Sequence, residues 1–121
     1  MPKRFCDLEI WKMGYDLLMD VYELIKSFPK IEQFALASQL IRSANSVIAN
    51  IAEAHGRFYF QDKIRVLYIS RAEVEETQSH IRVAVGRGYI TKEKGKKLDD
   101  AYEALNRKIN SYIKFLFEKS R

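Results

Sequence analysis

The sequence predicts an all-α protein, an antiparallel up-down-up-down four-helix bundle over residues 1–121. Three observations carry that expectation. Apolar residues recur every three or four positions along most of the chain, the mark of helices burying one face. Proline and paired glycines fall only between these periodic segments, and no alternating polar and apolar run bounded by turn pairs suggests a strand. The connections are short, which favours antiparallel neighbours.

The first helix is expected at about 8–28. Trp11, Tyr15, Leu18, Tyr22, Ile25 and Phe28 supply its apolar series. Asp7 is placed to cap its first amides, and Pro29 disfavours helical geometry at Phe28. The second helix is expected at about 32–55, with Gly56 just beyond its end. From Gln33 to Ala52 it has one charged residue, Arg42, and neither glycine nor proline. A segment so apolar needs neighbours on several sides. Gln39, Ser43, Ser46, Asn50 and Glu53 nevertheless recur at spacings of four, three, four and three, and so stack on one face. Such a polar line is either paired inside the fold or part of a contact between subunits.

The third helix is expected at about 61–86, with Ile64, Leu67, Tyr68, Val74, Ile81 and Val85 as its apolar series and Gly86-Arg87-Gly88 as its stop. Thr91 then caps a fourth helix at about 92–118, whose core face reads Leu98, Ala101, Leu105, Ile109, Tyr112, Ile113 and Leu116. Gly95 in its first turns is expected to weaken that start.

A chain of 121 residues can bury a core without disulfides or a metal. Cys6 is the single cysteine, which fits a reducing compartment and an ordinary thiol. No signal peptide is evident, and the second helix is too polar to span lipid. The expectation is a cytoplasmic protein with no membrane contact.

Catalysis needs a nucleophile with a base, a paired acid and base, or a metal. His55 and His80 lie on different predicted helices, and Glu73, Glu76 and His80 lack the spacing of a bundle di-metal site. The five glycines form no phosphate loop. No enzyme activity, metal or cofactor is expected.

Interaction features remain. The net charge is +5, and residues 91–121 hold nine basic against five acidic groups, so the excess sits in the last quarter. Lys94, Lys96, Lys97, Arg107 and Lys108, joined by Arg42 and Arg57, are candidates for phosphate contact, unless they only solvate helix faces. Repetition of the patch by oligomeric symmetry would strengthen its pull on a polyanion. In Gly56-Arg57-Phe58-Tyr59-Phe60 a cation sits beside three aromatics. Phe58 and Tyr59 can stack on unpaired bases, or at least two of the three rings close the end of the bundle. Glu53 and Arg57 are spaced to pair, and Glu76 and Arg71 on the neighbouring helix can join them.

The order of these residues resembles the four-helix-bundle proteins encoded within intervening sequences of bacterial 23S ribosomal RNA genes. The resemblance runs from about Asp7 to Ile90. It rests on Asp7-Leu8-Glu9-Ile10-Trp11-Lys12, Val21-Tyr22, Phe28-Pro29 ahead of Glu32, Gln39-Leu40, Arg42, Ser46, Asn50-Ile51-Ala52-Glu53 and Gly56-Arg57. The chain departs from the family pattern at Ile41, Ile48, Ala54 and Ala72-Glu73, where the family usually has arginine, proline, glycine and a Gly-Ser pair. Without proline at Ile48 the second helix should be less kinked. The resemblance implies a homo-oligomer, with a pentameric ring favoured, and no enzymatic activity. A more distant similarity, to the accessory variability protein of diversity-generating retroelements, implies a basic pentameric barrel that binds nucleic acid and a protein partner. RNA or DNA binding by repeated basic surfaces is the leading expectation, and a protein-interaction scaffold is the alternative.

Overall fold

The structure, a computed structural model, describes residues 2–121 and is all-helical among them. Its four helices are α1 (Glu9–Leu24), α2 (Leu36–Gly56), α3 (Phe60–Gly86) and α4 (Lys92–Lys119). They form the expected antiparallel bundle, with α2 packed between α1 and α3, and α4 closing the ring against α3 and α1.

The helix ends follow local chemistry. α1 stops at Leu24, earlier than position 28, because Ile25–Ser27 tightens into a 3-10 turn and Phe28, ahead of Pro29, is extended at φ −74° and ψ 146°. Asp7 does not cap α1: it belongs to a 3-10 turn at Phe5–Asp7, and the extended Leu8 stands at the cap position with no side-chain bond. α2 begins at Leu36 rather than 32, since Lys30–Glu32 is a separate 3-10 turn. Glu32 still serves that helix, as its Oε1 accepts from the Leu36 amide at 3.2 Å. The other carboxylate oxygen accepts from the Tyr89 hydroxyl at 2.8 Å, which clasps the α1–α2 connection to the α3–α4 connection. Gly56 is the last residue of α2 instead of the one beyond it.

The stop after α3 is a glycine motif. Gly88 has φ +78°, its amide bonds the Val85 carbonyl at 2.9 Å, and the Tyr89 amide bonds Ala84 at 3.0 Å. These bonds satisfy carbonyls that the helix end leaves open, in a conformation that favours glycine. Thr91 caps α4 as expected, its Oγ1 accepting from the Lys94 amide at 3.1 Å. Gly95 has a packing role: a Cβ there would collide with Val85, so its absence lets α4 approach α3. Gly14 on α1 does the same for α2, where a Cβ would collide with Ile48.

The core faces differ from the apolar series at several aromatics. α1 buries Ile10, Gly14, Leu17, Leu18 and Val21, whereas Tyr15 and Tyr22 stand 42% and 44% exposed beside Met19. On α3 Tyr68 is also outward, and the buried face runs through Val66, Leu67, Ser70, Val74, Thr77, Ile81 and Ala84. A period of three to four fits two neighbouring stripes on α1, and only contact with other helices selects one. On α4 the buried face gains Tyr102 and Asn106, while Ala101 and Tyr112 sit at its margin.

Tyr102 is fully buried, and its hydroxyl has no hydrogen-bond partner among the described residues. Burial pushes its phenol well above the ordinary range, and the Asp20 carboxylate adds to the shift. A raised acid favours the protonated folded state, so this contribution is intact below the unfolded value of about 10 and is lost as pH rises past it. Tyr102→Phe is therefore expected to change stability by less than about 1 kcal/mol at pH 7, because it removes an unpaired hydroxyl. The same variant should lose less stability than the parent between pH 7 and about 11. Urea midpoints at the two pH values check both, and an equal alkaline loss would show that the phenol is not the titrating group.

Candidate nucleic-acid interface and subunit faces

The polar line on α2 divides in three dimensions. Ser43 is fully buried and faces α3, where its Oγ donates to the Leu40 carbonyl at 3.2 Å and lies 2.8 Å from Thr77 Oγ1. Thr77 Oγ1 is also 2.8 Å from the Glu73 carbonyl, so its one proton serves either acceptor. Ser70 Oγ donates to the Val47 carbonyl at 2.7 Å. Hydroxyls thus stitch α2 to α3 where small side chains bring the backbones close. Asn50 stays within its own helix, donating to the Ser46 carbonyl at 2.8 Å and to Ser46 Oγ at 3.1 Å. Gln39 Oε1 accepts from Arg42 Nε at 3.3 Å, and Glu53 is exposed.

The expected network of Glu53, Arg57, Glu76 and Arg71 splits. Glu53 and Arg57 pair along α2 at 2.7 Å. Glu76 on α3 instead accepts from Arg42 and contacts His80 Nε2 at 3.2 Å, with Glu73 3.6 Å from Arg42. Burial alone would push the Glu76 carboxyl up, but the bonds from Arg42 and His80 outweigh it and leave the carboxyl below its ordinary value. Arg71 joins neither pair, lying 5.2 Å from the centroid of the Tyr68 ring. Register explains the division: Glu76 and Glu53 lie at different heights along the antiparallel α2–α3 pair.

The candidate phosphate ligands do not form one patch. Arg42 and Arg57 are engaged as described, Lys96 pairs with Asp100 at 2.9 Å, and Lys108 on α4 pairs with Glu9 on α1 at 3.0 Å. Lys94, Lys97 and Arg107 are exposed and have no ion pair among the described residues. Lys94 and Lys97 edge a shallow groove between α1 and α4, floored by Leu17, Leu24, Leu98 and Ala101, with Asp20 on its far wall. With Lys92 and Lys96 they make the first turns of α4 a cluster of exposed cations.

Phe58 and Tyr59 occupy the opposite end. They are 84% and 67% exposed and meet edge to face with centroids 5.0 Å apart. The expectation that at least two of the three aromatics close the bundle fails, since only Phe60 packs against the core.

The outward side of α2 becomes defined only once its neighbours are placed. Ile48 points toward Gly14 of α1 and Arg42 toward Glu76 of α3. Between them, around the outside of α2, steps of about 100° per residue place Ile41, Ala52, Asn45, Ser38 and Ala49. None is charged, although an outward face of a surface helix is ordinarily polar and charged. Tyr15, Met19 and Tyr22 of α1 continue this surface with large apolar side chains that are also exposed. Its sequence signal is the single charge between Gln33 and Ala52.

No helix of the described residues is long and apolar enough to cross a membrane. No curated protein matches the sequence. Its structure is similar to the crystal structure of a protein of unknown function from the S23 ribosomal protein family of Bacteroides thetaiotaomicron. That similarity has a TM-score of 0.80 at 25% sequence identity and covers 87% of this chain and 98% of the other. Residues 6–111 match the family described as 23S rRNA-intervening sequence protein. With most of its length matched, and with the same bundle, the chain belongs to the 23S rRNA-intervening sequence protein family.

Proposed function

We propose that this protein is a non-catalytic, homo-oligomeric helical bundle that binds RNA through a cationic surface repeated by its symmetry. The observation that carries the nucleic-acid reading is the exposed lysine cluster at the start of α4, where Lys94 and Lys97 have no carboxylate partner among the described residues. A polyanion binds such a surface by releasing counterions, and the gain grows with each copy of the patch. The family's description ties it to an intervening sequence in 23S rRNA, which supports RNA as the ligand class.

The uncharged outer arc of α2 and the exposed Tyr15, Met19 and Tyr22 of α1 support self-association, because a face without charges is cheap to desolvate and its apolar side chains gain from leaving water. A ring requires a different, complementary face on the neighbour. Tyr68, Ile69 and Val83 on the outside of α3 offer one, at 51%, 43% and 48% exposure. A pentameric ring accords with this two-faced arrangement. The second reading, a protein-interaction scaffold, draws on the internal pairing of Arg42, Arg57, Lys96 and Lys108, which reduces the charge left for phosphates.

Light scattering coupled to size exclusion, at low and high salt with absorbance at 260 and 280 nm, tests the reading. The expected result is a particle several times the 14.2 kDa chain mass that carries nucleic acid at low salt and sheds it at high salt. A nucleic-acid-free ring at both salts would favour the scaffold, and a monomer would remove self-association from both readings.

A further inference from the structure

We propose that the α2–α3 end of the bundle is a second, separate RNA contact that stacks unpaired bases, distinct from the lysine cluster on α4; it rests on the nucleic-acid reading above. Two rings as exposed as Phe58 and Tyr59 leave a large apolar area in water at a position where polar residues would suffice. Their backbone is held on both sides. The Arg57 amide bonds the Ala54 carbonyl at 3.2 Å, the Lys63 amide bonds the Tyr59 carbonyl at 3.0 Å, and Lys63 Nζ closes the end of α2 on the His55 carbonyl at 2.8 Å. These bonds fix the backbone that carries the rings, and the edge-to-face contact narrows their rotamers, which lowers the ordering entropy lost on binding.

Tertiary structure adds cations that lie far away in sequence. His55 Nε2 meets the Pro2 carbonyl at 3.1 Å, and this contact sets Lys3 and Arg4 beside the end of α2. Both are exposed and have no ion pair among the described residues, whereas Arg57 is paired with Glu53. Exposed aromatics at an end of the bundle that also carries unpaired cations match single-stranded RNA, whose bases stack while its phosphates meet the charge. The other end of the bundle also exposes apolar side chains, Ile31 and Phe34, but Phe34 is its one strongly exposed ring, since the paired Phe28 and Tyr89, with centroids 5.4 Å apart, are half-buried. The 27 residues of α3 separate the two proposed contacts by about 40 Å, so a short oligonucleotide reports one end at a time.

Fluorescence anisotropy with a labelled four-nucleotide single-stranded RNA and with a blunt RNA duplex tests the assignment on the intact protein. Phe58→Ala/Tyr59→Ala should weaken the single strand about tenfold or more and leave the duplex within about twofold. Phe58→Trp/Tyr59→Trp, which keeps the stacking faces, should restore single-strand binding, and both pairs sit at exposed positions where folding is not at risk. Unchanged single-strand affinity in the alanine variant would overturn the site while leaving the RNA reading intact. So would binding of the duplex alone by the parent protein, or an alanine variant whose only change is a smaller particle mass, which would assign the rings to a second copy. Failure of the parent to bind either RNA would remove both readings.

Discussion

Reversing Lys94, Lys96 and Lys97 together to Glu is expected to reduce RNA retention at low salt by about 100-fold, with little loss of stability. Three phosphate contacts would be lost and replaced by repulsion, and the slope of log affinity against log salt should fall by about two units for single-stranded RNA. The fold tolerates the change for physical reasons. All three side chains are exposed, and the only ion pair broken is Lys96 with Asp100, a solvated pair along one helix. A carboxylate at position 94, in the first turn of α4, also suits the positive end of the helix dipole, and Thr91 continues to cap it. Retention measured on an RNA column across a salt series, beside a thermal melt, separates binding from folding. Retention equal to that of the parent would show that this surface is not where RNA binds.

Leu105→Ala carries the second large effect, this time on stability. Leu105 is fully buried on α4, and its Cδ2 lies 3.6 Å from where a Cβ on Gly14 would stand. It packs against the backbone at Gly14 at ordinary van der Waals distance, beside Ile48, where α4 meets α1. Truncation removes buried methyl groups and leaves a cavity that stiff neighbours, including the β-branched Ile48 and Ile109, cannot close. The expected cost is about 2–5 kcal/mol. For a chain of this size that lowers the melting temperature by roughly 10 °C or more. Melts at one fixed protein concentration are the measurement, because self-association makes the midpoint concentration-dependent. A cost below about 1 kcal/mol would mean that α4 is not seated on α1 and α2 as described.

Much of the candidate interaction surface was visible as residue types but not as an arrangement. Arg42 stands out in the sequence as the one charge in a long apolar run, yet nothing local to α2 indicates that Glu76, 34 residues away, pairs with it. Lys108 likewise meets Glu9 across the length of the chain. Local spacing did identify Glu53 with Arg57, since residues four apart share a helix face whatever the fold. Phe58 and Tyr59 were recognised as a cation-flanked aromatic run, but their exposure depends on where the bundle ends. The path of the N-terminal segment over His55, which puts Lys3 and Arg4 at the same end of the bundle as those rings, has no signal in sequence at all.

The sequence by itself determined the helices, their order and their antiparallel sense. Periodicity, Thr91, Pro29 and the Gly86-Arg87-Gly88 stop act within a few residues, and short connections leave few ways to pack four helices. Only the tertiary structure decided which side of each helix is inside. Tyr15, Tyr22 and Tyr68 satisfy an apolar period as well as buried residues do, and a helix carrying two apolar stripes commits to one through its neighbours. Gly14 against Ile48 and Gly95 against Val85 set those neighbours, because close approach requires a missing side chain on one helix and a bulky one on the next. Partnering of charges followed from the same packing, since opposite charges on different helices pair only after the helices are in register.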